Sequence, residues 1–201
     1  MRVIAGEFRS RQLQAPRGMA TRPTSDRLRE TLFNVLGPRI DGAHFVDLYA
    51  GSGAVGIEAL SRGAASCVFA EKAGPALAAV RANLAALKIG AGYQVETRGV
   101  VQALEAMAKT AAKLGKPQIA DIVFLDPPYE AEEEYESTLR TLARLHVQLL
   151  DAGSLVVAEH NRKKSLPARV GVLERTRVLE QGDAALSFYR LAAQEPDEPV
   201  S

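Results

Sequence analysis

The stretch His44-Phe45-Val46-Asp47-Leu48-Tyr49-Ala50-Gly51-Ser52-Gly53-Ala54-Val55-Gly56 decides the architecture. Residues 44–49 are apolar and aromatic around one acid, the pattern of a buried strand. The glycines that follow make a tight turn, and Ile57–Arg62 reads as a helix. A glycine-rich turn between a strand and a helix lets a ligand approach the backbone closely. The spacing Gly51-x-Gly53-x-x-Gly56 fits the dinucleotide fingerprint, a weak signal alone. Asp47 argues against a dinucleotide, because an acid ahead of the turn would repel a pyrophosphate. It suits a cationic ligand that carries an α-amino group.

Downstream, strands and helices alternate. Ser66–Ala70 is a second strand and ends at Glu71 and Lys72. An acid there can accept both ribose hydroxyls of an adenosine ligand. Gly74–Lys88 is an alanine- and leucine-rich helix with no site signal. Tyr93–Thr97 is a third strand, followed by the loop Arg98-Gly99-Val100-Val101 and the helix Val101–Leu114. Ile122–Leu125 is a fourth strand, and an acidic run opens a helix from Glu130 to about Leu150. Those acids match the positive end of the helix dipole. Gly153–Glu159 is a fifth strand. Two more, near Val170–Glu180 and Ala184–Leu191, form a closing hairpin that turns at Gln181-Gly182-Asp183. This order describes a doubly wound α/β domain, a mostly parallel seven-stranded sheet with an antiparallel C-terminal hairpin.

Ahead of the domain, residues 1–20 alternate as a small β-hairpin extension, too small for a core of its own. The domain spans 21–191, and 192–201 reads as a disordered tail with two prolines and three acids. Thr24 or Ser25 caps the first helix, whose apolar side is Leu28, Leu32, Phe33, Val35 and Leu36. Gly37-Pro38 ends it. Arg27 in its first turn opposes the helix dipole, a local conflict that hints at function.

The chemistry concentrates in Ile122-Val123-Phe124-Leu125-Asp126-Pro127-Pro128-Tyr129. A buried strand stops at an acid, two prolines and an aromatic. Neither proline has an N–H, so neither strand nor helix continues through them. The stiff loop stands at the carboxyl end of a strand, where open α/β sheets bind ligands. It offers acceptors and a stacking face but no nucleophile. That suits a planar ring bearing an NH2 group: Asp126 and the Pro127 carbonyl accept its two N–H bonds while Tyr129 stacks on the ring. An exocyclic amine is a poor nucleophile, because its lone pair is delocalised into the ring. Fixing both hydrogens favours a pyramidal nitrogen with its lone pair aimed at an electrophile.

Hydrophobic content of 47% supports a real core, and 24% charge is ordinary for a soluble protein. No apolar run approaches a membrane span, and the N-terminus has no signal-peptide pattern. Cys67 is the single cysteine and sits in an apolar run, so it reads as a buried structural thiol. His44, His146 and His160 lack metal-ligand spacing, so no metal is expected. The expected location is cytoplasmic. Net charge is +1, but it is segregated. Residues 1–39 hold eight arginines against three acids, and 160–190 hold seven bases against three. Residues 40–159 hold fifteen acids against ten bases. Basic ends around an acidic middle point to a phosphate-binding face built from the two ends.

Two motifs carry a resemblance. Asp47–Gly53 resembles the S-adenosylmethionine motif of class I methyltransferases, and Asp126–Tyr129 resembles the catalytic motif of amino-methylating nucleic-acid methyltransferases. With Arg2–Gly6 and the block Arg22–Asn34, the chain resembles the bacterial methyltransferases that modify N2 of a guanine in 16S rRNA. The resemblance covers about 190 residues, and Arg22–Asn34 is its discriminating part. It implies the Rossmann-like class I methyltransferase fold, S-adenosyl-L-methionine as donor and an extruded guanine as acceptor. It implies 16S rRNA or the small ribosomal subunit as partner and a monomeric enzyme. Asp126, Pro127 and Tyr129 are then the catalytic set. Asp47, Tyr49, Ala50, Gly51, Ser52, Gly53, Glu71, Lys72, Val100 and Asp126 hold the cofactor. Arg9, Arg11, Arg22, Thr24, Arg27, Tyr129 and Arg162 meet the RNA. The adenine loop departs from the family, with Val100-Val101 where many members have Asp or Asn.

Three other readings compete. An adenine-N6 DNA methyltransferase shares the Asp-Pro-Pro-Tyr loop, but the chain has no room for a target-recognition domain. An NAD oxidoreductase needs a proton-transfer residue at the rim, and none is evident. A non-catalytic RNA-binding module has no use for Asp126 or Asp47.

Overall fold

The computed structural model describes residues 1–16, 25–117, 119–128 and 131–193. The elements in chain order are α1 (Asp26–Leu36), β1 (His44–Leu48), α2 (Ala54–Ser61), β2 (Ser66–Ala70), α3 (Gly74–Ala86), β3 (Tyr93–Glu96) and α4 (Val100–Leu114). Then come β4 (Ile122–Leu125), α5 (Glu132–Arg144), α6 (His146–Leu149), β5 (Leu155–Asn161), β6 (Arg169–Val170), β7 (Leu173–Gln181) and β8 (Ala184–Leu191). Among the described residues no helix is long and apolar enough to cross a membrane.

One sheet runs β3-β2-β1-β4-β5-β8-β7-β6. β3 through β5 are parallel, and β8, β7 and β6 continue the sheet antiparallel. Strand order reverses between β1 and β4, the place where open sheets form a ligand crevice. The doubly wound class and the C-terminal hairpin are as the sequence predicts. The eighth strand is β6, whose two residues are too short to leave a periodic signal before Gly171.

Side chains alternate across each strand. Phe45, Ile122 and Phe124 join the apolar cluster on the face that also holds Leu28, Phe33, Val55 and Ile57. Val46, Leu48, Val123 and Leu125 join Leu104, Leu139 and Leu142 on the other. Asp47 shares the parity of Phe45, so period-two geometry aims it at the α2 face.

Some boundaries differ from the sequence reading. α2 begins at Ala54 because Gly53, at φ 76°, already closes the turn. The long acidic helix is two pieces, broken at Leu145 with no proline or glycine to announce it. Ser25 caps α1, and its hydroxyl accepts the Leu28 N–H at 3.1 Å. The tail from 194 onward lies outside the described residues.

The N-terminal segment is antiparallel, with a single ladder bridge, Arg2 to Gln12, flanked by backbone bonds from Val3 N–H to the Arg11 carbonyl at 3.0 Å and from Leu13 N–H to the Met1 carbonyl at 3.0 Å. It is held by the body of the protein. Val3 and Leu13 belong to the cluster that holds Leu28 and Phe33. Glu58, fully buried on α2, accepts the N–H groups of Ile4 at 2.7 Å and Ala5 at 2.9 Å. Arg62 Nε sits 2.7 Å from Glu58 and the buried Arg29 Nε 3.8 Å from it. Arg29 also donates to Asp26 and to the Arg2 carbonyl. Burial lowers the pKa of Arg29, and the charges of Glu58 and Asp26 oppose that shift. The Nε and Nη1 of Arg29 lack hydrogen-bond partners, so the nearby carboxylates compensate its buried charge.

Gly6 makes this docking possible. Its φ is +81°, and a Cβ there would lie 1.8 Å from the Ser61 carbonyl oxygen. That carbonyl accepts the Glu7 N–H at 2.8 Å. Gly6→Ala should therefore cost about 1–3 kcal/mol of stability and expose the Ile4 and Ala5 amides. Hydrogen exchange and thermal melting check this; unchanged protection at both amides would contradict it.

Candidate active site

The register lines up the strand ends. Leu48 pairs with Ala70 on one side and Leu125 on the other, and Leu125 pairs with Ala158. The next residues of β2, β1, β4 and β5 are Glu71, Tyr49, Asp126 and Glu159, which therefore share one rim.

Asp47 lies just beneath that rim and is 2% exposed. Its Oδ2 accepts the Gly56 N–H at 2.8 Å, which pins the first turn of α2 to β1. The approach is close: a Cβ on Gly56 would lie 2.4 Å from the Phe69 ring and 2.6 Å from Cys67 Sγ. This is the third-glycine role of the fingerprint, helix-to-strand packing. Burial pushes the Asp47 pKa well above the usual carboxylate range, the Gly56 bond opposes it, and the charges of Asp126 and Glu71 add to it. Burial also pushes the Cys67 thiol well up, helped by Asp47, which keeps it neutral and inert.

The turn itself runs over Tyr49, Gly51 and Gly53, all at positive φ of 61°, 57° and 76°. Tyr49 is the informative one, since a bulky side chain in the left-handed region marks strain held by its surroundings. Its hydroxyl donates to Glu134 at 2.8 Å and shares a 2.7 Å bond with Thr138. Burial holds its phenol above the ordinary value. Tyr49 thus ties the turn to α5 rather than lining the space over the glycines. Gly51 has open space where a Cβ would stand, the nearest atom being its own loop's Tyr49 carbonyl at 3.9 Å. Ala50 and Ser52 are buried beneath.

Glu71 uses one oxygen for the Gly51 N–H at 2.9 Å and the other for the Ala73 N–H at 2.8 Å. Each oxygen keeps a second lone pair. Lys72 pairs with Glu134 at 3.6 Å. Beyond β3, Arg98 folds back on Glu96, with Nε 3.0 Å from its carboxylate. α4 then starts at Val100, buried, with Gly99 as an N-cap that has no side-chain bond. Its first N–H groups have no intrahelical partner.

At β4 the Asp126 N–H reaches the Leu48 carbonyl at 3.5 Å. Pro127 is buried and Pro128 exposed. The Tyr135 hydroxyl approaches the Pro127 carbonyl at 3.5 Å, a long contact that leaves acceptor capacity. The acidic start of α5 does more than match a dipole: Lys164 meets Glu132 at 2.6 Å while Glu134 holds Lys72. The helix after the proline loop is thereby fastened to the β2 and β5 ends.

Arg9, Arg11, Arg27 and Arg162 are all exposed. Arg11 reaches the Ala86 carbonyl at 3.5 Å, and the Arg162 N–H bonds the Asp183 carbonyl at 2.9 Å. Arg22, Thr24 and Tyr129 lie outside the described residues. Three polar residues escaped the sequence reading. Arg29 sits on the α1 stripe of Phe33 and Leu36, Glu58 amid the apolar Val55, Ile57 and Ala59, and Asn83 on the α3 stripe of Ala76 and Val80. A polar residue at a stripe position was the available signal in each case.

The family described as Conserved hypothetical protein 95 matches residues 1–190. The chain is 39% identical to the putative rRNA methyltransferase YlbH of Bacillus subtilis, over 94% of this chain and 98% of that one. It is 35% identical to ribosomal RNA small subunit methyltransferase D of Escherichia coli K12, over 96% and 91% respectively. The solved structure of the putative methyltransferase yhhF from Escherichia coli superposes with a TM-score of 0.78 at 32% identity, covering 96% of this chain and 99% of that chain.

Asp47 generates a pH prediction. A carboxyl whose pKa is raised in the fold adds stability below its unfolded pKa of about 3.9, and that stability is lost as pH rises through the folded value. Asp47→Asn keeps an acceptor for Gly56 without the buried charge. Its stability relative to the parent should therefore increase between pH 4 and neutrality, as read from urea midpoints. A difference that is flat across that range would contradict the buried-charge account.

Proposed function

The chain belongs to the Conserved hypothetical protein 95 family, and from that membership we propose that it methylates the exocyclic N2 of a guanine in small-subunit (16S) ribosomal RNA. The observation that carries the reading is the shared rim: a buried acid under a glycine turn, an acid after β2 and an acid–proline–proline loop after β4. The relatives named above are ribosomal RNA methyltransferases, and nothing in them or in the site favours adenine N6.

The donor is S-adenosyl-L-methionine, which supplies an electrophilic methyl group on a sulfonium. The residues fit that group. The acids Asp47, Glu71 and Asp126 favour a cation with an α-amino group and oppose a pyrophosphate. The open space over Gly51 admits a ligand to the backbone, with Ala50, Ser52 and Gly53 forming the bed. Asp47 and the turn hold the amino-acid end, and Glu71 accepts the ribose hydroxyls with Lys72 beside it. Val100 packs on the adenine edge, and the free N–H groups opening α4 stand in for the absent Asp or Asn. Tyr49 serves the cofactor indirectly, by locking the turn to α5.

The guanine leaves its stack to reach the rim, at a cost of a few kcal/mol that is least in a loop. Asp126 and the Pro127 carbonyl accept the two amine hydrogens, and Tyr129 stacks on the base. Holding the lone pair in line with the methyl group supplies most of the rate, an effect that reaches about 7–11 kcal/mol. As the N–C bond forms, the sulfonium S–C bond breaks and S-adenosylhomocysteine leaves as the neutral thioether. Asp126 need not be a strong base, because the methylated ammonium gives up its proton easily, to Asp126 or to water. Arg9, Arg11, Arg22, Thr24, Arg27 and Arg162 meet RNA phosphates. The enzyme works in this reading as a cytoplasmic monomer without a metal.

Variants test the reading. Asp126→Ala should lower single-turnover methylation by roughly 10²–10³-fold with little change in S-adenosylmethionine affinity. Tyr129→Ala should lose stacking worth about 1–3 kcal/mol, and Tyr129→Phe should be nearly neutral. An active Asp126→Ala enzyme would end the reading, and a Phe variant as impaired as Ala would move the chemistry to the phenol.

A further inference from the structure

We propose that Asn83 is a positioning residue that couples the N-terminal extension to the cofactor turn, so that RNA and S-adenosylmethionine each tighten the binding of the other. The inference rests on the function proposed above, with the extension's arginines on RNA and the glycine turn on the cofactor.

Asn83 is 1% exposed on α3, on a face otherwise made of Ala76, Ala79, Val80 and Leu84. A leucine would fill that face without a polar group to satisfy. Asn83 instead uses both amide hydrogens and one oxygen lone pair on two backbones. Its Oδ1 accepts the Gln14 N–H at 2.8 Å. Its Nδ2 donates to the Gln14 carbonyl at 3.0 Å and to the Ser52 carbonyl at 2.9 Å. Gln14 belongs to the extension that carries Arg9 and Arg11; Ser52 is the middle of the Gly51-Ser52-Gly53 turn. A second contact runs in parallel, from Ser52 Oγ to Met1 Sδ at 3.6 Å. The extension is therefore tied to the cofactor turn directly at Met1 and through Asn83 at Gln14.

The extension is closed by the Arg2–Gln12 bridge and by backbone bonds between residues 1–3 and 10–13, and Val3 and Leu13 anchor it in the core. Glu58, Ser61 and Asn83 add side-chain bonds to its backbone, and of these three Asn83 is the one that also bonds the cofactor turn. Whatever fixes Ser52 also fixes the amide that fixes Gln14. A ligand that orders one side lowers the ordering cost for the other, and linkage makes the effect reciprocal.

The test measures S-adenosylhomocysteine affinity by calorimetry, with and without a saturating 16S rRNA transcript, in the full chain. The parent should bind it about fivefold tighter or more with RNA present, the lower end of ordinary coupling. Asn83→Asp keeps the acceptor for Gln14 but loses both donated bonds. Gln14→Pro, at an exposed position, removes the N–H given to Asn83, at the cost of fixing φ there and restricting Leu13, and so covers the case in which the buried aspartate fails to fold. In both variants the ratio should fall toward one while each ligand still binds alone. A purely structural residue would lower the melting temperature and both affinities but leave the ratio intact, and that result would overturn the proposal. A parent that binds both ligands with no coupling would also overturn it. A parent that binds neither would sink the function first and this inference with it.

Discussion

The hydrogen bond from the Gly56 amide to the buried Asp47 carboxylate is the constraint on which the site depends. It sets α2 against β1 at a distance that only glycine allows, with Phe69 and Cys67 filling the space where a side chain would go. Burying a carboxylate is unfavourable, and here Asp126 and Glu71 make it worse. A fold optimised for stability alone would place an apolar residue at position 47. The acid is retained at the centre of the sheet, at the switch point, under a turn strained at Tyr49. Buried charge and backbone strain at one place are what a binding site for a cationic ligand requires.

The second constraint is the attachment of the extension. The apolar cluster that holds Val3 and Leu13 also holds Leu28 and Phe33 of α1, and Leu186 and Phe188 of β8. The extension, α1 and β8 thus contribute to one apolar cluster. Ordinary burial, about 25 cal/mol for each Å² of apolar surface, supplies that attachment. The polar fixings on Glu58, Ser61 and Asn83 then set the orientation that apolar contact leaves open.

Much of this was legible in the sequence, for identifiable reasons. Strand–helix alternation, the glycine turn and the proline loop are local patterns, so β1, β4 and the closing hairpin came out where the pattern put them. Two-residue β6 and the break at Leu145 carry no local pattern and were missed. Asp47 was read from the sequence as a site acid, and its bond to Gly56 depends on how α2 docks, which no local rule gives. Tyr49 was assigned to the cofactor, and its hydroxyl bonds α5 residues 85 and 89 positions away. Arg29, Glu58 and Asn83 escaped the sequence reading. Their meaning lies in partners on the extension and the turn, far off in the chain.

The most direct test is chemical. The protein is incubated with methyl-labelled S-adenosylmethionine and small ribosomal subunits from cells that lack this modification. The RNA is then digested, and the labelled nucleoside is identified by mass spectrometry. The account predicts label in N2-methylguanosine at a single unpaired position. Label in N6-methyladenosine, or no label with either subunits or free rRNA, would contradict it.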